Sequence, residues 1–95
     1  MVSTIARIKK RDGTVTDFNQ DKITNAIFKA MESEGLKDRA IAKTASDIVT
    51  FMIEEKFGGY TVPSVEQIQD IVEMVLMKQG YHEVAKAYIL YREKH

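Results

Sequence analysis

The 95-residue sequence contains no cysteine, one proline and only two histidines. Without cysteine the chain can form no disulfide bond, no thiolate zinc site and no thiol nucleophile. His82 and His95 lie too far apart for a His-x-x-x-His zinc-protease motif. No apolar run approaches the roughly 20 residues that span a bilayer, and the N-terminus has no secretory apolar stretch. We therefore expect a cytoplasmic protein.

An excess of charge of either sign is also lacking. Fourteen basic side chains balance fourteen acidic ones, so no field over the whole molecule attracts nucleic acid or an anionic membrane. Any anion site must therefore come from local geometry. The length and the 44% of hydrophobic residues are typical of a single globular domain, which we assign to residues 1–95.

Catalytic motifs are equally absent. The sequence has neither a Gly-x-x-x-x-Gly-Lys phosphate loop nor a Gly-x-Gly-x-x-Gly motif. The four serines have no histidine nearby in sequence and no nucleophile elbow. Acidic pairs such as Glu54-Glu55 are interpreted as exposed surface. We expect no catalytic residue and no metal ligands, and hence no enzyme activity from this chain alone.

The N-terminal part of the chain predicts a β-hairpin followed by a helix. Asp12-Gly13 separates two β-prone runs within residues 4–18, and glycine accepts the positive φ that a tight hairpin turn needs. Asn19 suits the N-cap of the first helix, with Phe18 and Ile23 at the hydrophobic-staple positions. Gly35 is predicted to end this helix.

Three further helices are predicted from apolar spacing and capping signals. One runs from about residue 38 to residue 56 and is stopped by the glycines that follow Phe57. The next begins with a capping box formed by Ser64 and Gln67, and the last follows Gly80. The sequence therefore predicts a β-hairpin followed by four helices, in the α+β class.

Three cations stand out from this pattern. Lys10 and Arg11 precede the hairpin turn, and Lys22 lies in the first turn of the first helix. A lysine there faces the positive end of the helix dipole, which is unfavourable by roughly 0.3–1 kcal/mol. A bound phosphate would explain the arrangement, because helix amides and a cation together attract anions. The alternative is that these are ordinary exposed basic residues.

Aromatic and apolar residues near these cations have two interpretations. Phe18, Tyr88 and Tyr91 could stack on a nucleotide base, but their apolar spacing favours the core for most of them, Tyr88 in particular. Phe18 could serve both as helix staple and as one wall of a small pocket.

Three blocks of sequence carry a family resemblance. The first contains Lys10-Arg11-Asp12-Gly13, then Phe18-Asn19 and Lys22-Ile23. The second is Val-Glu-Gln-Ile-Gln-Asp-Ile-Val-Glu at residues 65–73, and the third is Val-Ala-Lys-Ala-Tyr-Ile-Leu-Tyr-Arg at residues 84–92. In this order, over roughly residues 5–93, the set resembles the ATP-cone domain, best known at the N-terminus of ribonucleotide reductases.

The resemblance implies a regulatory module that binds ATP or dATP, with Mg²⁺ bridging the phosphates, and that switches a reductase on or off through subunit association. It also implies a fold in which the N-terminal β-hairpin covers a four-helix bundle, and a protein partner or self-association through the helices. The balanced charge and the lack of a long apolar run argue against a nucleic-acid or membrane partner. By position, Lys10 and Arg11 would bind phosphates, and Lys22 would contact phosphates or ribose. Asn19 would meet the base through its backbone and Gln69 would respond to the sugar. The adenine slot would be formed by Ile8, Phe18, Ile23 and Ile68.

Some features of the resemblance leave alternatives open. A basic residue at the end of the last helix would also help with phosphates, and Arg92, Lys94 and His95 compete for that role. Family members often carry an acidic residue at the position of Thr16, whereas in this sequence the acidic residue, Asp17, comes one position later. The chain is expected to be either an excised domain or a free-standing sensor.

The competing function is an interaction module that needs no nucleotide, whose basic hairpin grips an acidic protein or nucleic acid. Zero net charge argues against it. An enzyme acting on nucleotides would need a general base or a nucleophilic side chain beside the cations, and the sequence offers neither.

Overall fold

The computed structural model describes residues 7–58 and 61–94. Strands β1 (Arg7–Lys9) and β2 (Val15–Asp17) precede four helices, which are α1 (Gln20–Ser33), α2 (Arg39–Phe57), α3 (Val65–Lys78) and α4 (His82–Lys94). This order confirms the predicted α+β class with an N-terminal hairpin and four helices. Residues 4–6 of the predicted hairpin, and His95 at the C-terminus, lie outside the described residues.

The hairpin forms around the predicted Asp12-Gly13 turn. The two strands are antiparallel, with Ile8 opposite Thr16. Gly13 has a φ of 90°, a value that side chains disfavour. Asp12 Oδ1 accepts hydrogen bonds from the backbone N–H of Thr14 at 2.9 Å and from its hydroxyl at 2.7 Å. These bonds lower the pKa of Asp12, so its carboxylate stays ionised and keeps the turn closed.

Side-chain caps define where two of the helices begin. Asn19 Oδ1 accepts from the N–H of Asp21 at 2.9 Å and starts α1. Ser64 and Gln67 form the reciprocal capping box of α3, each side chain accepting from the other residue's backbone N–H. Each cap satisfies amides that the first helical turn leaves without partners. Both predicted helix starts are therefore confirmed.

The four helices form a bundle around one apolar core. α1 packs on α2 and α4, and α3 packs on the same two helices. Because the chain runs up and down, the starts of α1 and α3 and the end of α4 lie at one end of the bundle. The core contains the largest fully buried side chains, which include Ile27, Met31, Val49, Ile53, Val72, Val75 and Leu76.

The hairpin is attached to this same end of the bundle. The backbone N–H of Lys9 donates to the carbonyl oxygen of Pro63 at 2.9 Å, just before α3 begins. Ile8 and Phe18 are half-buried against the helical core. The hairpin therefore covers the end of the bundle where helix starts and the end of α4 meet. Among the described residues, no helix has the length and apolar character needed to cross a membrane.

Candidate functional site

A cleft of about 180 Å³ lies beneath the hairpin, between α1, α3 and α4. Its walls bring together seven of the nine residues that the sequence singled out. β1 and the segment before α1 contribute one side, and the first turns of α1 and α3 contribute the other. These seven residues are Ile8, Phe18, Asn19, Lys22, Ile23, Ile68 and Gln69.

The cleft walls are mostly apolar. Ile8 and Phe18 come from the hairpin side, while Ile23 and Ile68 come from the first turns of two helices. Sites that enclose a whole small molecule usually occupy roughly 300–1,000 Å³. A cleft of 180 Å³ therefore suits one flat apolar ring, with the rest of a larger ligand outside.

Two tyrosines of α4 complete the cleft and were not among the predicted site residues. Tyr88 and Tyr91 both line it, and their rings stack with centroids 6.2 Å apart and an interplanar angle of 26°. Burial raises the pKa of Tyr88, so its hydroxyl stays protonated. The sequence spacing favours the core for Tyr88, and that prediction is also correct, because the residue is only 4% exposed. The face of α4 that packs on the core also borders the cleft, so apolar spacing could not distinguish a core residue from a cleft residue.

Ala26 and Val65 also line the cleft and were missed. Ala26 lies one turn after Ile23 on α1 and is partly buried against the core. No charge, motif or turn signal distinguishes such a residue from a core alanine.

Lys22 is the cation at the cleft itself. It is exposed in the first turn of α1, and it lines the cleft beside the capping residue Asn19. The helix dipole and the lysine charge both make this position electropositive. An anionic group leaving the cleft would therefore meet a favourable potential here.

Arg11 does not line the cleft but lies at its rim. Its Nε is 3.0 Å from Oε2 of Glu66 in an ion pair. Its Nη2 donates at 3.3 Å to Oε1 of Gln69, which does line the cleft, and at 3.3 Å to the backbone carbonyl of Arg92. Lys10 is exposed beside the hairpin turn and is also outside the cleft lining. The structure thus brings Lys22 and Arg11 to the same end of the bundle and leaves Lys10 on the turn.

The basic residues at the end of α4 are held differently. Arg92 Nη1 pairs with Asp70 Oδ1 at 2.9 Å and with Glu73 Oε2, and its side chain is only 15% exposed. Burial lowers the pKa of Arg92, but the hydrogen bonds to Glu73 and Asp70 outweigh that effect and raise it. Lys94 is exposed and lines a different groove, and His95 falls outside the described residues.

That second groove, between α1 and α4, is larger, at about 630 Å³. Lys29, Lys86, Leu90 and Lys94 are among its lining residues, and it contains none of the nine predicted ones. Size alone therefore does not identify the site. The smaller cleft is the better candidate because seven of the nine predicted residues line it and none lines the larger groove.

No group of three or more histidine, aspartate or glutamate side chains suited to a metal ion occurs within residues 7–58 and 61–94. A metal that accompanies a ligand would therefore need most of its oxygen ligands from that ligand and from water.

Comparison of the sequence with known proteins identifies its family. The sequence model of the ATP cone domain matches residues 6–95. The chain is 45% identical over 95 residues to a vitamin B12-dependent ribonucleoside-diphosphate reductase of Thermoplasma acidophilum, covering 95% of this chain and 12% of that protein.

Two other relatives come from different reductase types. The chain is 39% identical to the ribonucleoside-diphosphate reductase subunit alpha of Chlamydia pneumoniae, covering 96% of this chain and 9% of that protein. It is 32% identical to the anaerobic ribonucleoside-triphosphate reductase of Escherichia coli, covering 90% of this chain and 11% of that protein. The chain thus spans about a tenth of the length of these relatives.

Proposed function

The chain belongs to the ATP-cone family, and on this premise we propose that it is an allosteric domain that binds ATP or dATP and catalyses no reaction itself. The parent protein would be a ribonucleotide reductase or a sensor that shares its regulation. The observation that carries the proposal is the cleft, because seven of the nine residues that the family resemblance singles out line one cavity.

The adenine ring is assigned to the apolar part of the cleft. Ile8 and Phe18 on the hairpin side, with Ile23 and Ile68 on the helix side, would exclude water from the ring faces. Burying a flat apolar surface is favourable by roughly 25 cal/mol per Å² removed from water. Asn19 would meet the base edge through its backbone.

The phosphates are assigned to the rim. Lys22 lies where the cleft meets the start of α1, and Arg11 reaches the rim through Gln69. Lys10, on the adjacent turn, would add charge at longer range. A phosphate in this position would be favoured by the helix dipole as well as by the cations.

Gln69 is proposed to respond to the sugar, since its side chain lies between the cleft and Arg11. Mg²⁺ is proposed to enter with the nucleotide and to be held mainly by phosphate oxygens and water. The helices would then form a surface that depends on the bound nucleotide and that contacts a protein partner or a second copy of the chain. Because the nucleotide pool is cytoplasmic, we propose the same location for the domain.

The alternative function, a basic hairpin that grips an acidic partner, has less support. The chain's fourteen basic and fourteen acidic side chains give no net charge that would attract such a partner. Binding to DNA with a steep salt dependence and without any response to ATP would favour that alternative.

A thermal-shift panel with ATP, dATP, ADP and GTP tests the proposal directly. A ligand that binds only the folded state raises the melting temperature, and at a hundred times Kd it adds about 2.7 kcal/mol of stability. We expect ATP and dATP to raise the melting temperature more than GTP does. Equal or absent shifts for all four nucleotides would contradict the proposal.

A further inference from the structure

Three carboxylates form an acidic face on α3. Glu66, Asp70 and Glu73 follow one another at intervals of four and three residues, which places them on the same side of the helix. Two arginines from other elements lie on this face. Arg11 of the hairpin pairs with Glu66, while Arg92 of α4 pairs with Asp70 and Glu73.

The two arginines are held very differently. Arg92 is 15% exposed and contacts two carboxylates, so it is a fixed part of the α3–α4 packing. In the Arg11–Glu66 ion pair, the side chains are 49% and 46% exposed. Ion pairs this exposed contribute only about 0–1 kcal/mol, so Arg11 can exchange its partner at little cost.

Resting on the nucleotide site proposed above, we propose that Glu66 competes with the nucleotide phosphates for Arg11. In the free domain Glu66 holds the Arg11 guanidinium at the cleft rim. When a nucleoside triphosphate binds, the guanidinium moves from the Glu66 carboxylate to a phosphate. Glu66 is thus a positioning residue that keeps Arg11 in place, and at the same time it lowers the apparent affinity of the domain for the nucleotide.

The geometry favours this exchange. Arg11 already contacts Gln69, a residue of the cleft wall, so its guanidinium needs only a side-chain movement to reach a group at the rim. The hairpin backbone is held separately by the Lys9–Pro63 hydrogen bond. A phosphate is also the stronger partner, since it can accept two parallel hydrogen bonds from a guanidinium and carries more charge.

The exchange has a consequence at the end of α4. Arg11 Nη2 donates to the carbonyl oxygen of Arg92 in the last turn of that helix. A cation there satisfies a terminal carbonyl and complements the negative end of the helix dipole. Transfer of Arg11 to a phosphate would remove that contact, so nucleotide occupancy would be communicated to the end of α4.

A double-mutant cycle measured by calorimetry tests the competition. We expect Glu66→Gln to bind ATP about two- to five-fold more tightly, the range that corresponds to an exposed ion pair. In the Arg11→Gln background the same substitution should give no gain, because the competition no longer exists. Glu83→Gln is the matched control, since it removes a first-turn glutamate and an exposed ion pair at the opposite end of α4.

The outcomes separate the two proposals. If the unmodified domain binds neither ATP nor dATP, the proposed function itself is wrong. If the unmodified domain binds and Glu66→Gln does not raise the ATP affinity, only the competition is wrong. The competition is also wrong if Glu66→Gln raises the affinity equally in the Arg11→Gln background, because Glu66 then acts by general charge repulsion. Weaker, Mg²⁺-dependent binding by Glu66→Gln would also overturn the competition and assign the carboxylate to the metal.

A second readout follows the ion pair itself. The ¹⁵N–¹H resonance of Arg11 Nε should shift in Glu66→Gln, and it should shift again in the unmodified domain when ATP is added. A resonance that responds to Glu66→Gln but not to saturating ATP would show that Arg11 keeps its carboxylate partner, contrary to the proposal.

Discussion

The backbone N–H of Lys9 donates a 2.9 Å hydrogen bond to the carbonyl oxygen of Pro63, which joins the end of β1 to the start of α3. Lys9 also forms an isolated parallel bridge with Ser64, the N-cap of that helix. The hairpin and the first turn of α3 are therefore positioned by one short segment. Because Ile8 and Ile68 lie on these two elements, the same segment sets the width of the cleft.

Ser64→Ala should weaken both the helix cap and the hairpin attachment. The substitution removes the acceptor for the Gln67 N–H and should lower the free energy of unfolding by about 1 kcal/mol. Exchange of the Lys9 amide proton should become faster, because the carbonyl that it contacts directly precedes the cap. Ser64→Thr, which retains the hydroxyl, should restore both quantities. A lower free energy of unfolding without faster exchange of the Lys9 amide proton would show that the Ser64 cap and the attachment of the hairpin are independent.

Ala26→Leu should block the cleft without unfolding the domain. Ala26 lines the cleft from α1, and the added side-chain atoms would occupy part of its 180 Å³. Since leucine is a good helix former, we expect the melting temperature to be largely retained. Calorimetry should show at least a tenfold loss of ATP affinity.

Ala40→Leu on α2 is the matched control for this change, because Ala40 is exposed and does not line the cleft. It should leave ATP affinity unchanged. Full ATP affinity in Ala26→Leu would exclude this cleft as the base site.

Lys22→Ala should weaken ATP binding by about 1–3 kcal/mol, the range for losing a hydrogen bond to a charged group. Stability should stay the same or rise slightly, because a lysine in the first turn of α1 faces the positive end of the helix dipole. Lys29→Ala, two turns further along α1, is the control and should not change the affinity. Unchanged ATP affinity in Lys22→Ala would remove this lysine from the site.

Local signals were enough to predict the order and type of the elements. Asp12-Gly13 set the hairpin turn, and Asn19 and Ser64 set two helix starts, because each acts through hydrogen bonds to residues at most three positions away. Such bonds depend on the local sequence alone. The apolar cleft residues could also be anticipated, but only through the family resemblance, since their spacing is equally that of a core.

Partners between distant elements could not be predicted. Arg11 and Glu66 are 55 positions apart, and their ion pair depends on how the hairpin docks on α3. The sequence gives no reason why Arg11 rather than its neighbour Lys10 reaches the rim. Tyr91 likewise enters the cleft only because α4 packs beside α1.

The start of α1 is also fixed on the side away from the cleft. Gln20 Nε2 donates to Ser46 Oγ at 3.0 Å and to Asp47 Oδ1 at 2.6 Å, so the first residue of α1 is tied to α2. Asp47 Oδ1 also accepts from Lys43 Nζ at 2.6 Å. The bonds from Lys43 and Gln20 lower the pKa of Asp47 below its ordinary value of 3.8.

The lowered pKa of Asp47 predicts how the free energy of unfolding depends on pH. The stabilisation from ionised Asp47 is fully present above about pH 3.8, where the carboxylate is ionised in both states, and is lost as the pH falls through the lower folded-state pKa. Urea unfolding from pH 6 to pH 2.5 should therefore show Asp47→Asn less stable than the unmodified domain at pH 6, with the difference shrinking below pH 3.8. Lys43→Met should reduce this pH-dependent difference, because Lys43 is the main cause of the shift. A difference that stays constant down to pH 2.5 would mean that Asp47 stabilises α1 through its shape and not through its charge.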